Sequence, residues 1–483
     1  MNLRTVLRLV GVLVMFIGLS MSFSLLWSLY LDEPDVGALA MSMLICLGAG
    51  GGLFALGWGS QAPIMRREGM AMVGLSWLLA ALFGALPFYL SGATPNFADA
   101  YFEAMSGFTT TGSTVLTDIE ALPKGVLFWR SFTHWLGGMG IVVLFVAILP
   151  YLRVSGKQLF KSEVPGPTAE VLRPRISETA SVLWRIYVGL TLILVVILWL
   201  LGLSLYEALC HTFGTMATGG FSVWNKSIGY YNSVVVDIVI VVFMILAGTN
   251  FGLYFQIIKG DWKTFWRNSE WRFFMGIIGV STAIISIDLI FRQTYGTVFQ
   301  AIRYAGFQVV SIITTTGYGT ADFETWSSFS QMVLIALMFV GGCAGSTGGG
   351  MKVVRILVVL KQAYLGMEKV FRPHLVRTLK IGGIPVEDDV RDSILIFFVI
   401  SLHVVLFGSL AIAAMGVDVV TAVTAVIATL NNIGPGLGLV GPVDNFSSIP
   451  DAGKYLLSLC MVLGRLELFA VLVLFMPAFW RGH

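Results

Sequence analysis

Four short phrases in this chain combine hydroxyl or amide side chains with glycine, and they return at similar wide intervals. They read FTTTGST around Gly112, TMATGGFS around Gly220, ITTTGYGT around Gly317 and LNNIGPG around Gly434. Consecutive copies lie on the order of 100 residues apart, too far for a short solenoid repeat and right for a duplicated unit of two spans and a hairpin. Glycine allows backbone angles that turn successive carbonyls to one side. Threonine adds a hydroxyl on a stiff, β-branched side chain. Four such loops around one axis would make a ring of oxygens, which is how a dehydrated alkali cation is bound. The candidate ligands are Thr109 to Gly112, Ala217 to Gly220, Thr314 to Gly317 and Asn431 to Gly434, mainly through backbone carbonyls.

A second echo follows each phrase at some distance along the chain. It consists of the small-residue patches LGGMG (136–140), LAGTNFG (246–252), VGGCAGSTGGG (340–350) and LGRLE (463–467). Copies one and two read as close helix packing through small residues. Copy three holds too many glycines for a helix, because each costs about 1 kcal/mol relative to alanine. Residues 342–350 are therefore expected to be unwound. Copy four places Arg465 near the middle of an apolar span, where a charge is costly and marks a functional candidate. The loose backbone groups of Gly345, Ser346, Thr347, Gly348, Gly349 and Gly350 could bond Arg465 and form a gate, with the positive charge raising the barrier to a cation. The plainer alternative is a structural salt bridge from Arg465 to Glu467 or another buried acid.

These residues need helices to carry them. The chain has 483 residues, is 57% hydrophobic and only 12% charged, against about 25% charged in an average soluble domain. Apolar runs of about 20 residues, enough to cross a bilayer, recur throughout. The expected fold is an all-α polytopic membrane protein. Two spans come first, about 5–30 and 38–60, and four units follow, each with a first helix, a short hairpin helix, the Gly-containing loop and a second helix. The hairpin helices are expected at 97–108, 207–216, 297–313 and 418–430. The second helices are expected at 125–152, 233–258, 328–360 and 453–479. The hairpin helices are too short to cross and must dip in and return. Irregular backbone survives at that depth only where protein buries it or a wet cavity solvates it. Domain boundaries follow at 1–66, 67–155, 156–260, 261–365 and 366–483.

Net charge is +3, but its distribution says more. Lys and Arg cluster at Arg4 and Arg8, at Arg66 and Arg67, and over 153–185, 259–272 and 352–391. The positive-inside rule puts these clusters and the N-terminus in the cytoplasm. The basic stretch 153–185, with Pro165, Pro167 and Pro174, suits either a soluble partner or anionic lipid headgroups. Cys46, Cys210, Cys343 and Cys460 lie in apolar segments and read as packing residues. His134, His211 and His403 read as core side chains with one hydrogen bond each, and Asn250 as a cavity-lining residue or a cap. No phosphate loop, dinucleotide fingerprint or nucleophile elbow is present, and nothing points to a nucleic acid.

The four-fold unit, the phrases TTTGS, TGGF, TTTGYG and NIGPG, the GGCAGSTGGGMK loop and the single arginine of the last helix resemble the superfamily of K⁺ transporters. That superfamily contains the bacterial Trk and Ktr membrane subunits and the plant HKT proteins. Length and the two extra N-terminal spans resemble its TrkH/TrkG branch. The resemblance implies four M1-P-M2 units in a pseudo-four-fold array around one pore, plus the two extra N-terminal transmembrane helices. It implies K⁺ uptake across a bacterial inner membrane, no enzyme activity, no organic cofactor, a homodimer, and control by a cytoplasmic TrkA-type nucleotide-binding subunit. The K⁺ selectivity filter carries over to Thr110, Thr111 and Gly112; Thr218, Gly219 and Gly220; Thr315, Thr316 and Gly317; and Asn432, Ile433 and Gly434. In copy two the filter glycine is Gly220 or Gly219, and the parallel of Gly220-Phe221 with Gly317-Tyr318 favours Gly220. Sodium-selective relatives carry serine at the first glycine; here it is Gly112. Pro435 removes an N–H, so the fourth quadrant is expected to be less symmetric.

Two other functions compete: an ion-coupled secondary transporter of a small solute, and a Na⁺-permeable member of the same superfamily. Against the first, the repeats run parallel and no intramembrane carboxylate suits a proton relay. Gly112→Ser is expected to lower K⁺ over Na⁺ discrimination more than it lowers folding, read as relative Rb⁺ and Na⁺ uptake alongside membrane abundance. Unchanged selectivity at normal abundance would remove Gly112 from the ring.

Overall fold

The computed structural model describes residues 3–59, 66–140, 176–374 and 377–480. The N-terminal hairpin pairs α1 (Leu3–Tyr30) with α2 (Val36–Leu56). Gly11, Gly18 and Gly50 let the two backbones approach so closely that an added Cβ would collide with the partner helix, the small-residue packing expected between membrane helices. Asp35, at the turn, accepts the Ser28 hydroxyl and the Val126 N–H, tying the hairpin to the first unit.

Four units follow. The first has α3 (Arg66–Gly84), the short α4 (Phe97–Phe108) and α5 (Lys124–Gly138). The second has α6 (Ile176–Leu200), the short α7 (Leu205–Met216), α8 (Val234–Ala247) and α9 (Phe251–Ile258). The third has α10 (Ser269–Phe291), the short α11 (Val298–Ile313), α12 (Ser328–Met338) and α13 (Val353–Phe371). The fourth has α14 (Asp388–Ala414), the short α15 (Val419–Leu430) and α16 (Asp451–Arg465). Among the described residues six helices are long and apolar enough to cross a membrane, or seven if α8 and α9 count as one span bent by 92°.

Every short helix starts with a side-chain cap. Asn96, Ser204, Thr297 and Asp418 each accept the N–H three residues on, and Ser204 with Glu207 completes a capping box. Such caps satisfy N-terminal donors that an apolar medium would leave orphaned. The units interlock in cyclic order. The second helix of each packs on the short helix of the next: α5 on α7, α8 on α11, α12 on α15 and α16 on α4. Two buried ion pairs sit on these seams, Asp237 with Arg303 at 2.8 Å and Lys454 with Asp99 at 2.5 Å.

One expectation is corrected. In units one, two and four the second helices are not continuous as expected, while in unit three the break over the glycine run is where an unwound stretch was expected. Each stops at its small-residue patch: α5 at Gly138, α8 at Ala247, α12 at Met338 and α16 at Arg465. The remainder of the expected 125–152 helix, and the basic stretch from Arg153 to Arg175, lie outside the described residues. The patches also serve close packing. A Cβ on Gly137 would overlap the Phe108 carbonyl, and one on Gly464 would overlap that of Leu430. Both carbonyls belong to the last residue of the unit's own short helix.

Arg303→Met strands a buried Asp237 and is expected to cost about 3 kcal/mol, seen as a lower melting temperature in detergent. Adding Asp237→Leu should recover most of the loss; no recovery would mean that the pair is incidental to the seam.

Candidate functional site

The short helices point their C-termini at one place and end in the same way. Thr110 N–H donates to Gly107 O and Thr111 N–H to Ser106 O. The equivalent pairs are Thr218 to Thr215 with Gly219 to Gly214, Thr315 to Ile312 with Thr316 to Ser311, and Asn432 to Thr429 with Ile433 to Ala428. These are Schellman caps, which satisfy the last helical carbonyls by placing one residue in the left-handed region. That residue is Thr110 (φ 54°), Thr218 (φ 53°), Thr315 (φ 59°) or Asn432 (φ 53°). A threonine there is a genuine outlier, costing roughly 1–2 kcal/mol, whereas asparagine tolerates it better. Two residues on, Gly112 (φ 82°), Gly220 (φ 80°), Gly317 (φ 78°) and Gly434 (φ 104°) are left-handed again. The register in copy two is therefore Gly220. Sequence reasoning named Thr110, Thr218, Thr315 and Asn432 for the ring but missed their left-handed backbone, of which Asn432 was the one visible signal.

The loops close into a ring. A Cβ on Gly112 would overlap Gly219 O, one on Gly220 would overlap Thr316 O, and one on Gly317 would overlap Ile433 O. A Cβ on Gly434 would stand 3.0 Å from Thr111 O, completing the cycle. The fourth quadrant is the loosest, and its Gly434 carbonyl accepts the Ser113 hydroxyl at 2.9 Å. Behind the ring, Thr109 and Thr111 share a hydroxyl hydrogen bond at 2.7 Å, as do Thr314 and Thr316 at 2.8 Å. All four glycines line a single cavity of about 130 Å³ on the side where the chain leaves the ring, together with Asp444 and Arg130. Beside it Glu324 accepts the Gly438 N–H; burial raises its pKa, and Asp322 and Asp444 raise it further by repulsion. The helix termini add the negative ends of four dipoles toward the ring. The arrangement can offer oxygen and partial negative charge to a cation and supplies no nucleophile.

On the opposite side lies the Gly-rich segment, non-helical from Val340 to Lys352. Its backbone is tied on every flank. Cys343 N–H donates to Gly248 O, Thr347 N–H to Ala247 O, and Gly345 O accepts from Phe251 N–H. Ala344 N–H donates to Glu270, and Asn250 caps α9 beside Gly345. Gly349 N–H donates to the Thr315 hydroxyl at 2.8 Å, and a Cβ on Gly349 would lie 2.6 Å from that of Asn432. The segment thus presses on quadrants three and four.

Arg465 meets it from the other side. Its guanidinium donates to Thr347 O at 2.7 Å, to Gly137 O at 2.7 Å, to Gly138 O at 2.6 Å and to the Thr110 hydroxyl at 3.2 Å. The carbonyls of Gly137 and Gly138 are available because α5 ends there. The expected bond to the Gly-rich backbone is present at Thr347 O, four oxygens surround the Arg465 head, and Glu467, named in the alternative reading, pairs with Arg355. Lys352 is buried and donates to Gly348 O. A cavity of about 50 Å³ remains here, lined by Gly138, Gly345, Gly349, Lys352, Arg465 and Glu467 among others.

Sequence reasoning also missed the buried pair behind quadrants one and two. Arg130 bonds Glu103 at 2.6 Å and donates to Ser222 O at 2.8 Å, while Glu103 accepts from the Thr114 hydroxyl and Val115 N–H. Charges in apolar helices were the signal, noted only for Arg465.

Known proteins resemble this chain in sequence and in fold. The family model TrkH, described as a cation transport protein, matches residues 38–481. The chain is 40% identical over 485 residues to the Trk system potassium uptake protein TrkH of Escherichia coli (strain K12), covering 100% of both. It is 33% identical to TrkG of the same strain, covering 100% of this chain and 99% of that one. The crystal structure of the potassium transporter TrkH from Vibrio parahaemolyticus superposes with a TM-score of 0.90 at 36% identity, covering 100% of both chains.

The unequal close approaches predict a graded alanine series. Gly220→Ala and Gly317→Ala should cost the folded protein more than Gly434→Ala, by at least about 1 kcal/mol. Melting temperatures of the purified variants check this; a Gly434→Ala protein as damaged as the others would mean that the ring is not the tight element.

Proposed function

The chain belongs to the TrkH family of cation transport proteins, and on that premise we propose that it is a potassium uptake protein in which the ring is the selectivity filter. The observation that carries this reading is the cyclic approach of four left-handed glycines to four carbonyls. A ring so crowded that no side chain fits has little freedom to collapse, and its oxygens can replace the hydration shell of K⁺. The filter residues are Thr110–Gly112, Thr218–Gly220, Thr315–Gly317 and Asn432–Gly434. The units run 67–155, 156–260, 261–365 and 366–483 after the N-terminal hairpin 1–66. K⁺ enters as cargo.

The gate reading rests on Arg465 and residues 345–350. An arginine held by Thr347 O on one side and Gly137 and Gly138 on the other spans the path below the ring. Its charge opposes a cation, and releasing Thr347 frees both. The resemblance further supports a homodimer in a bacterial inner membrane and a TrkA-type nucleotide-binding subunit acting on the cytoplasmic side, where the basic clusters put the N-terminus. The relatives are named as parts of a Trk system.

The test is flux into vesicles containing the purified protein. K⁺ and Rb⁺ should enter well ahead of Na⁺, and an amino-acid pool should not enter. Equal K⁺ and Na⁺ entry would contradict the filter. Arg465→Ala, and separately a shortened 345–350 segment, should each raise basal Rb⁺ flux about tenfold, the factor set by removing about 1.4 kcal/mol of barrier. If both fold yet conduct no more than the parent with the partner absent, the gate lies elsewhere.

A further inference from the structure

The ring is four-fold in backbone but not in what stands behind it. Quadrants one and three are held by threonine pairs, Thr109 with Thr111 and Thr314 with Thr316. Quadrant two has Ala217 and Gly219 at those positions, so neither hydroxyl exists. Its backbone nonetheless keeps the same angles, with Thr218 at 53° and Gly220 at 80°. Something else fixes it.

His134, from α5 of the first unit, stands in the vacated place. It is fully buried. A Cβ on Gly219 would lie 2.5 Å from its Cδ2 and Cγ atoms, so the imidazole fills the volume where a threonine side chain would sit. Its Nε2 is 3.2 Å from Phe221 N, and its Nδ1 is 2.7 Å from Gly107 O. An N–H needs an acceptor and a carbonyl needs a donor. Together these two bonds assign the neutral ring, protonated at Nδ1. The imidazole also stacks on the Phe221 ring at 4.0 Å, and the Arg130 guanidinium sits 3.6 Å from the centre of that ring. One side chain therefore holds both flanks of Gly220: Gly219 by contact and Phe221 by a hydrogen bond. It carries the load to the short helix of quadrant one.

We propose that His134 is a positioning residue for the second quadrant, setting the direction of the Gly219 and Gly220 carbonyls as the threonine pairs do in quadrants one and three. The proposal rests on the ring being the filter. It makes cation discrimination depend on a residue that lines neither the ring nor the gate. A buried core histidine with no such role would affect stability and leave discrimination alone.

The experiment uses the full chain in vesicles and reads the ratio of labelled Rb⁺ to Na⁺ uptake, with abundance and melting temperature recorded. His134→Leu keeps volume without an acceptor, His134→Ala loses both, and His134→Gln can place its amide oxygen where Nε2 accepts from Phe221. Leu and Ala should lower the ratio about tenfold, the scale of a lost hydrogen bond at a tightly packed oxygen cage. Gln should stay within about twofold of the parent. Gly112→Ser, run beside them, separates the two levels. If Gly112→Ser also leaves the ratio unchanged, the filter reading fails; if it lowers the ratio while the Leu or Ala variant keeps it, only the His134 proposal fails. A Gln variant as poor as Leu overturns it too. So does failure of all three to accumulate, because a residue needed only for folding does not position the ring.

Discussion

A backbone that leaves the helical conformation inside an apolar medium must find partners for its N–H and C=O groups, because each unpaired one costs several kcal/mol. The rest of this molecule can be read as the answer to that constraint. Four loops leave the helix at membrane depth, and each spends its first two N–H groups on closing the helix behind it. What remains are carbonyls, crowded by the glycine of the neighbouring quadrant. Oxygens gathered with no donors to match them are an unfinished set, and on the proposed reading a K⁺ ion completes it. The threonines in left-handed geometry at Thr110, Thr218 and Thr315 bear strain that the closed ring over-determines.

The same constraint explains the broken second helices. Each break leaves carbonyls without helical partners at the end of a helix. Arg465 collects two of these carbonyls, that of Thr347 in the Gly-rich segment and a filter-side hydroxyl. Its five donors, fixed in a planar fork, suit it to bind oxygens coming from different units, which lysine could not do with the same geometry. A cation of the protein's own thus sits below a ring suited to a passing cation. On the proposed reading, competition between the two gates the path without a large movement: loss of one bond to Thr347 would change both the charge position and the segment that rests on Thr315 and Asn432.

Much of the fold was legible because it was written four times. The first short helix was expected at 97–108 and spans Phe97–Phe108; the last was expected at 418–430 and spans Val419–Leu430. Caps such as Asn96 and Asp418, followed by apolar residues at helical spacing, mark such starts. The breaks at Gly138 and Ala247 were not legible, since LGGMG and LAGTNFG suit a packed helix equally well. What decides is tertiary: the carbonyls of Gly137 and Gly138 are wanted by an arginine more than 300 residues away. The bond from Arg465 to the 345–350 backbone was legible, and Thr347 O supplies it, but the bonds to Gly137 and Gly138 were not. Glu467 is near in sequence, yet Glu467 faces Arg355. His134 read as an ordinary core histidine, because its meaning depends on two side chains that quadrant two lacks.

The central claim is that the ring of Thr111, Gly219, Thr316 and Ile433 carbonyls, braced by the four glycines, holds a dehydrated monovalent cation on its axis. Anomalous diffraction from crystals grown in Rb⁺ tests it most directly. The account predicts a peak on the axis, equidistant from carbonyls of at least three quadrants and weaker or absent when Na⁺ replaces Rb⁺. Rb⁺ found only in the outer cavity beside Asp444, with none between the carbonyls, would contradict it.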